Sequence, residues 1–147
     1  MWRQFSRNFL AAAIFAGCAL AAHHHELNGT WQLVPARSDF QGQPAIQSGT
    51  VTIDDREGNV YVSRSFSYDE PNQSTTSTFS TDARENTTIK EPGVRSKTQW
   101  EGNVLKVTTI RDGATTFERY SRRNDGTMVM MIDRPGHASE TLLFQRQ

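Results

Sequence analysis

The sequence predicts an all-β fold, an antiparallel up-and-down β-barrel of about 8–10 strands. Two observations predict it. Segments of strand length that are rich in Val, Ser, Thr and aromatic residues recur throughout residues 29–147. Turn-forming groups of Gly, Asn, Asp and Pro separate these segments at regular spacing. Because such short connectors make consecutive strands pair, we expect a meander, and a meander of this length usually closes into a barrel.

The predicted strands are defined by the turns between them. The turn groups are Glu57-Gly58-Asn59, Glu70-Pro71-Asn72, Glu91-Pro92-Gly93, Glu101-Gly102-Asn103, Asp112-Gly113, Asn124-Asp125-Gly126 and Pro135-Gly136. The predicted strands are Thr30–Val34, Thr50–Asp54, Val60–Tyr68, Ser74–Thr81, Thr87–Lys90, Val94–Trp100, Val104–Arg111, Ala114–Ser121, Thr127–Asp133 and Ser139–Arg146. The longest irregular stretch is Pro35–Ser48, for which we predict a loop with room for one helical turn.

The N-terminus has the pattern of a secretory signal peptide. Arg3 and Arg7 precede an apolar run over residues 9–22 that ends in small residues. That run is shorter than the roughly 20 apolar residues of a membrane-spanning helix. We therefore predict a signal peptide at residues 1–22, a His-rich tail at 23–28 and one barrel domain at 29–147, in a periplasmic or secreted protein. The alternative is an N-terminal anchor that is not cleaved.

Two cleavage sites are compatible with this segment. Ala19-Leu20-Ala21 fits the small-x-small pattern of ordinary signal peptidase. Phe15-Ala16-Gly17-Cys18 resembles a bacterial lipobox, with Phe15 where Leu is usual. Cleavage there would leave Cys18 acylated, and the lipid would tether the protein to a membrane. Cys18 is the only cysteine, so the mature domain has no disulfide.

Charge and size exclude several classes of protein. The chain has 16 basic and 16 acidic residues, and removal of Arg3 and Arg7 with the signal leaves two net negative charges. No dense basic run is present, although sequence-independent nucleic-acid binding requires one. We therefore expect no nucleic-acid partner. The mature length suits a single hydrophobic core, and we expect a monomer.

The opening of the domain carries a family resemblance. Gly29-Thr30-Trp31 has the Gly-x-Trp signature of the lipocalins and is similar to the first strand of the fatty-acid-binding proteins. The chain thus resembles a small exported bacterial member of the calycin superfamily. The resemblance implies that Trp31 closes one end of the barrel beneath an arginine from a neighbouring strand. Since the first and last strands of a closed meander are neighbours, Arg146 is the candidate; the alternative is a frayed C-terminus.

Two departures from the fatty-acid-binding proteins affect the ligand. The resemblance implies a two-helix lid after the first strand, but Pro35–Ser48 is too short for it. It also implies an arginine and a tyrosine on the last strand that hold a carboxylate, but Leu142 and Phe144 stand in their places. Burying a carboxylate that has no hydrogen-bond donor costs free energy, so we expect no fatty acid bound in that way. The interior then takes a neutral apolar ligand or is filled by side chains.

The function predicted from these features is binding of a small apolar ligand inside the barrel of an exported protein. The candidate ligand-lining residues are Phe66, Phe117, Leu142 and Phe144. The alternative is a non-catalytic interaction or structural protein of the cell envelope with a filled barrel.

The histidines near the N-terminus form a candidate metal site. If cleavage follows Ala21 or Ala22, a free amine stands near His23, His24 and His25. An amine, backbone nitrogens and an imidazole are ligands that Cu²⁺ and Ni²⁺ favour. The alternative is a solvated tail, and acylation at Cys18 would prevent the site from forming.

Catalytic motifs are missing from the sequence. It contains no Gly-x-Ser-x-Gly elbow and no phosphate-binding glycine loop, and the mature domain has no cysteine nucleophile. His137 is the only imidazole base within the predicted barrel domain. We therefore predict that the protein is not an enzyme and uses no cofactor.

Overall fold

The computed structural model describes residues 25–56, 59–68, 73–80, 82–87 and 92–147. In this part of the chain, ten strands form one sheet, and two single 3-10 turns accompany them. The strands are β1 (Gly29–Leu33), β2 (Ser48–Arg56), β3 (Asn59–Ser67), β4 (Gln73–Ser80), β5 (Asp82–Thr87), β6 (Arg95–Glu101), β7 (Val104–Arg111), β8 (Ala114–Arg122), β9 (Met128–Asp133) and β10 (Glu140–Arg146). The turns are η1 (His25–Leu27) and η2 (Pro35–Arg37). The predicted all-β antiparallel fold is confirmed.

The sheet consists of two meanders joined by the last strand. Its order is β4-β3-β2-β1-β10-β9-β8-β7-β6-β5, and every neighbouring pair is antiparallel. At the junction of β1 and β10, Trp31 pairs with Arg146. Arg64 of β3 also contacts Glu118 of β8, although these strands lie five places apart in the sheet. The sheet must therefore curl around an interior, which makes it a barrel.

The strand bounds agree with the sequence prediction except at β5. The other strands begin and end within two residues of their predicted bounds. For β5 the sequence predicted Thr87–Lys90, whereas the strand is Asp82–Thr87 and residues 88–90 lie outside the described part of the chain. Asp82–Thr87 is rich in charged and polar residues, which have low strand propensity. Pairing with β6 outweighs that propensity.

The connector between β1 and β2, residues 34–47, follows the edge of β10. Its single helical turn is η2, and the backbone of Asp39 forms an isolated antiparallel bridge with Thr141. Near its end, Ile46 is only 4% exposed and belongs to the hydrophobic core, and Phe40 packs against that core. The connector is therefore anchored to the barrel at both positions.

The core is concentrated at one end of the barrel. This end carries the first residues of β1, the last residues of β10, and the turns between β6 and β7 and between β8 and β9. We call it the closed end, and the end that carries residues 34–47 the connector end. Leu27 of η1 is 1% exposed and belongs to this core. The folded domain thus includes part of residues 23–28, which the sequence suggested as a tail.

The predicted signal peptide and its neighbours cannot be placed on this fold. Residues 1–24, with Cys18, His23 and His24, lie outside the described residues, and His25 appears only as the first backbone position of η1. Within the ranges that are described, no helix has the length and apolar character needed to cross a membrane.

Candidate functional site

The closed end is built around Trp31. The indole is fully buried, and its Nε1–H donates to the carbonyl of Leu27 at 2.8 Å. The Arg146 guanidinium carbon lies 4.5 Å from the centroid of the Trp31 ring. Its Nη1 donates to the carbonyl of Asn28 at 2.8 Å, and its Nη2 to that of Glu26 at 3.0 Å. Arg146 thus covers the tryptophan and fixes η1 against β1.

The glycine of the Gly-x-Trp motif makes room for this arginine. Gly29 has a φ of +128°, a conformation that side chains rarely adopt. A Cβ atom at Gly29 would lie 2.9 Å from Nη1 of Arg146. Glycine is therefore required both by its backbone angle and by the passage of the guanidinium.

Two of the predicted ligand-lining residues lie in packed core. Leu142 and Phe144 are both 0% exposed, so no water-sized space borders either side chain. They belong to the same core cluster as Trp31 and Met128, which are also fully buried. We call the interior around these four residues the closed half. It has no room for a ligand in this structure.

Phe117, a third predicted ligand-lining residue, lies on the outer face of β8. Successive strand residues alternate in direction, and Glu118 and Tyr120 reach the interior. The Phe117 ring instead has the Lys106 ammonium 5.5 Å and the Arg119 guanidinium carbon 5.7 Å from its centroid. The expectation that Phe117 faces a ligand is therefore corrected by the strand register.

Phe66, the fourth, packs against the core from β3 without being fully buried. It pairs with Gly49 of β2, and a Cβ atom at Gly49 would lie 2.6 Å from its Cδ1. Phe66 therefore occupies the space that a side chain on β2 would otherwise take. Tyr68, the next residue on the same face, also packs against the core while partly exposed.

A polar group crosses the interior between opposite walls. Nη1 of Arg64 on β3 forms an ion pair with the Glu118 carboxylate on β8. The Tyr120 hydroxyl donates to Oε2 of Glu118 at 3.0 Å. The Arg64 and Glu118 side chains remain 18% and 15% exposed. Since the residues of the closed half have no exposure, a space that water can enter begins at this ion pair.

The environment of Tyr120 keeps its hydroxyl protonated. Burial raises the pKa of Tyr120 above its ordinary value, and the negative charge of Glu118 raises that pKa further. Arg64 carries its charge at every ordinary pH. The group therefore contains one positive charge, one negative charge and one neutral hydroxyl.

Polar residues line the wall next to Glu118. Thr116 lies two positions before Glu118 on the same face of β8, pairs with Thr109, and Thr109 pairs with Ser96. All three are partly exposed. We call the interior bounded by Arg64, Glu118, Phe66, Tyr68 and this row the accessible half. It combines aromatic and polar lining.

The sequence prediction missed the polar group, although a signal for it exists. The apolar face of β3 is formed by Val60, Val62, Phe66 and Tyr68. Arg64 lies within this stripe at the same alternation, and an arginine that interrupts an apolar face needs a partner across the interior. Within the described ranges, no three His, Cys, Asp or Glu side chains are close enough together to hold a metal ion.

Comparison with known proteins rests on structure alone. No family model matches the sequence, and a search of curated proteins found no match. The fluorescent protein UnaG superposes with a TM-score of 0.68 at 16% identity, over 85% of this chain and 100% of UnaG. A secretory abundant heat soluble protein from Ramazzottius varieornatus has a TM-score of 0.64 at 13% identity, over 83% and 96% of the two chains. The fold is that of the calycin β-barrels.

A fatty-acid-binding protein shares this calycin fold. The Schistosoma mansoni fatty acid binding protein in complex with arachidonic acid has a TM-score of 0.59 and 17% identity, over 83% of this chain and 96% of its own. Identities this low establish the fold and nothing finer. A functional assignment must therefore rest on the side chains of this barrel, such as the ion pair between Arg64 and Glu118.

Proposed function

We propose that this calycin barrel is a non-catalytic carrier that binds a small, largely apolar molecule in the accessible half of its interior. The observation that supports it best is the contrast in exposure along the barrel. Phe144 is fully buried at the closed end, whereas Arg64 and Glu118 retain exposure where they meet across the interior. An interior lined by apolar rings with a few convergent polar groups is typical of small-molecule sites.

The structural neighbours support binding by analogy. They include proteins named as fatty-acid-binding proteins, from Echinococcus granulosus and Schistosoma mansoni, the second in complex with arachidonic acid. One fold hosts many functions, so this analogy carries less weight than the local geometry. Both indicate an apolar ligand held inside a barrel.

The test is binding of Nile red, a neutral apolar dye, to wild type and to two matched variants. Thr116→Trp places a large ring in the accessible half, because Thr116 shares its face of β8 with Glu118. Thr115→Trp places the same ring on the opposite face of the same strand. We expect Thr116→Trp to reduce dye affinity at least about tenfold, whereas Thr115→Trp keeps wild-type affinity. Dye fluorescence and circular dichroism measure binding and folding.

A filled barrel that acts through its surface is the second candidate function. The complete burial of Leu142 and Phe144 favours it, since the interior around them is already packed. Failure of wild type to bind Nile red would support this candidate and refute the carrier. Equal loss of binding in both tryptophan variants would place the dye outside the barrel.

We also propose that the protein is exported. Arg3, Arg7 and the apolar residues 9–22 support a cleaved signal peptide. The intact mass of the protein expressed from its full sequence tests this. A mass that begins after Ala21 or Ala22 would support signal cleavage and leave a free amine near His23–His25 for Cu²⁺ or Ni²⁺. A mass that begins at acylated Cys18 would support export with a membrane tether, and an unprocessed mass would refute cleavage.

A further inference from the structure

We infer that the ligand's polar end is uncharged: an amide, ester, ketone or hydroxyl oxygen that accepts a hydrogen bond from Arg64, in contrast to a carboxylate. The inference rests on the proposed function, because it concerns the same accessible half. It follows from the charges and donors that meet at the ion pair of Arg64 and Glu118.

The positive charge of Arg64 is already neutralised within the protein. Glu118 contacts its Nη1 from the opposite wall, and both side chains are largely buried. A ligand carboxylate at Arg64 would therefore bring a second negative charge close to Glu118. Like charges held close together between two largely buried side chains repel each other, so the barrel disfavours this ligand.

Glu140, a second carboxylate near Glu118, does not change the charge balance at Arg64. Glu140 aligns with Glu118 through Ile132, which pairs with both, so the two glutamates share the interior face of the sheet. Glu140 is buried and paired with Arg134. Each of the two arginines thus has its own carboxylate, and neither offers a net positive charge to a ligand acid.

The Arg64 guanidinium still has donors for a neutral oxygen. A guanidinium carries five N–H groups. The contacts described for Arg64 to Glu118 and Tyr120 both use Nη1, and the side chain keeps 18% of its surface exposed. A neutral acceptor oxygen in the accessible half can therefore take a hydrogen bond from the guanidinium without adding charge.

The wall beside Glu118 supports a polar but uncharged ligand group. Thr116, Thr109 and Ser96 form one row on this wall, and all three are partly exposed. A hydroxyl can donate or accept, so it suits an amide, ester or alcohol.

The experiment compares two probes of equal chain length, dodecanamide and dodecanoate, at pH 8 where the acid is ionised. Displacement of Nile red gives the affinity of each probe for wild type, Glu118→Gln and Asp133→Asn. Glu118→Gln removes the negative charge beside Arg64 and keeps the shape of the side chain. Asp133→Asn is the matched control, because it also removes the charge of a carboxylate that is paired with an arginine. Asp133 and its partner Arg119 lie on the outer side of the barrel.

We expect wild type to bind dodecanamide at least about tenfold more tightly than dodecanoate. Glu118→Gln should reduce that ratio about tenfold or reverse it, because Arg64 then has a free positive charge, whereas Asp133→Asn should keep the wild-type ratio. Dodecanoate bound by wild type as tightly as the amide would overturn the inference and leave the carrier function standing. Wild type that binds Nile red and neither probe would also overturn the inference, whereas failure to bind Nile red itself would refute the carrier. If Glu118→Gln does not fold, the wild-type ratio decides.

Discussion

One guanidinium, that of Arg146, holds together the N-terminal turn, the first strand and the buried tryptophan. It stacks on Trp31 and donates to the carbonyls of Asn28 and Glu26. A cation–π contact of this kind contributes about 0.5–2 kcal/mol. Because Gly29 leaves room for the guanidinium, the three parts of the closed end depend on one another.

Tyr120 makes the stability of the barrel sensitive to alkaline pH. Its pKa is raised above the ordinary value in the folded state by burial and by Glu118. The unfolded chain therefore loses the tyrosine proton near pH 10 while the folded protein keeps it. The contribution of Tyr120 to the free energy of unfolding is complete below pH 10. It falls as the pH rises further, by at most about 1.4 kcal/mol per pH unit.

The corresponding prediction compares Tyr120→Phe with Tyr61→Phe in urea unfolding between pH 8 and pH 11. Tyr120→Phe should be less stable at pH 8 by about 1–3 kcal/mol, because Glu118 loses a hydrogen bond. It should also show a smaller loss of stability above pH 10. Tyr61, which is 38% exposed, is the control and should keep the wild-type alkaline slope. Equal slopes for wild type and Tyr120→Phe would contradict the prediction.

At the level of single residues, the sequence predicted the structural role of Arg146 better than it predicted the residues of the candidate site. The position of Arg146 follows from strand adjacency in a closed meander, so it needs no knowledge of side-chain packing. Arg64 and Glu118 lie on separate strands, 54 residues apart in the chain. Their pairing depends on how far the sheet curls, and local sequence patterns contain no information on that distance.

At the scale of the strands, β2 and β3 pack closely at Gly49, which has no side chain. Gly49 has no Cβ, and the ring of Phe66 on the paired strand occupies that position. The glycine φ is not in the left-handed region here, so the requirement is steric alone. This contact places an aromatic ring at the boundary of the accessible half.

We predict that Gly49→Ala and Phe66→Leu are coupled. Gly49→Ala alone should destabilise the protein by about 1–3 kcal/mol, because its Cβ forces the ring of Phe66 to move. In the double variant the smaller Leu side chain should relieve the clash, so the combined loss is smaller than the sum by about 0.5–3 kcal/mol. Urea unfolding of the four proteins gives the coupling. Simple additivity would show that Gly49 and Phe66 do not compete for space.

Strand positions were predictable because turns interrupt the chain so regularly. The groups around Gly102, Gly113 and Gly126 adopt positive φ angles that glycine favours, and each ends one strand and begins the next. The prediction was wrong for β5, whose charged residues obscure the strand pattern. It was also wrong about the face of Phe117, because a shift of one residue reverses a strand and hydrophobicity alone suggested the wrong face.

The whole molecule is a barrel with one closed half and one accessible half. Its stability therefore depends on a core that fills only part of the interior, and a bound ligand would add to that core. We predict that dodecanamide at a hundred times its dissociation constant raises the free energy of unfolding by about 2.7 kcal/mol. Thermal and urea unfolding with and without the amide measure this effect.

Thr116→Trp provides the control at this scale, because it blocks the accessible half. The variant should unfold at the same urea concentration with and without dodecanamide. Equal stabilisation of wild type and Thr116→Trp would mean that the amide acts outside the barrel interior.

The place of β10 in the sheet also determines when the protein can fold. β10 follows the other nine described strands along the chain, yet it lies between β1 and β9, in the middle of the sheet order. Until residues 140–146 are released, the meander of β1–β4 and the meander of β5–β9 have no shared partner strand. The nascent chain therefore cannot complete its barrel before residues 140–146 have left the ribosome, and its first strand must wait for a partner that is more than a hundred residues away.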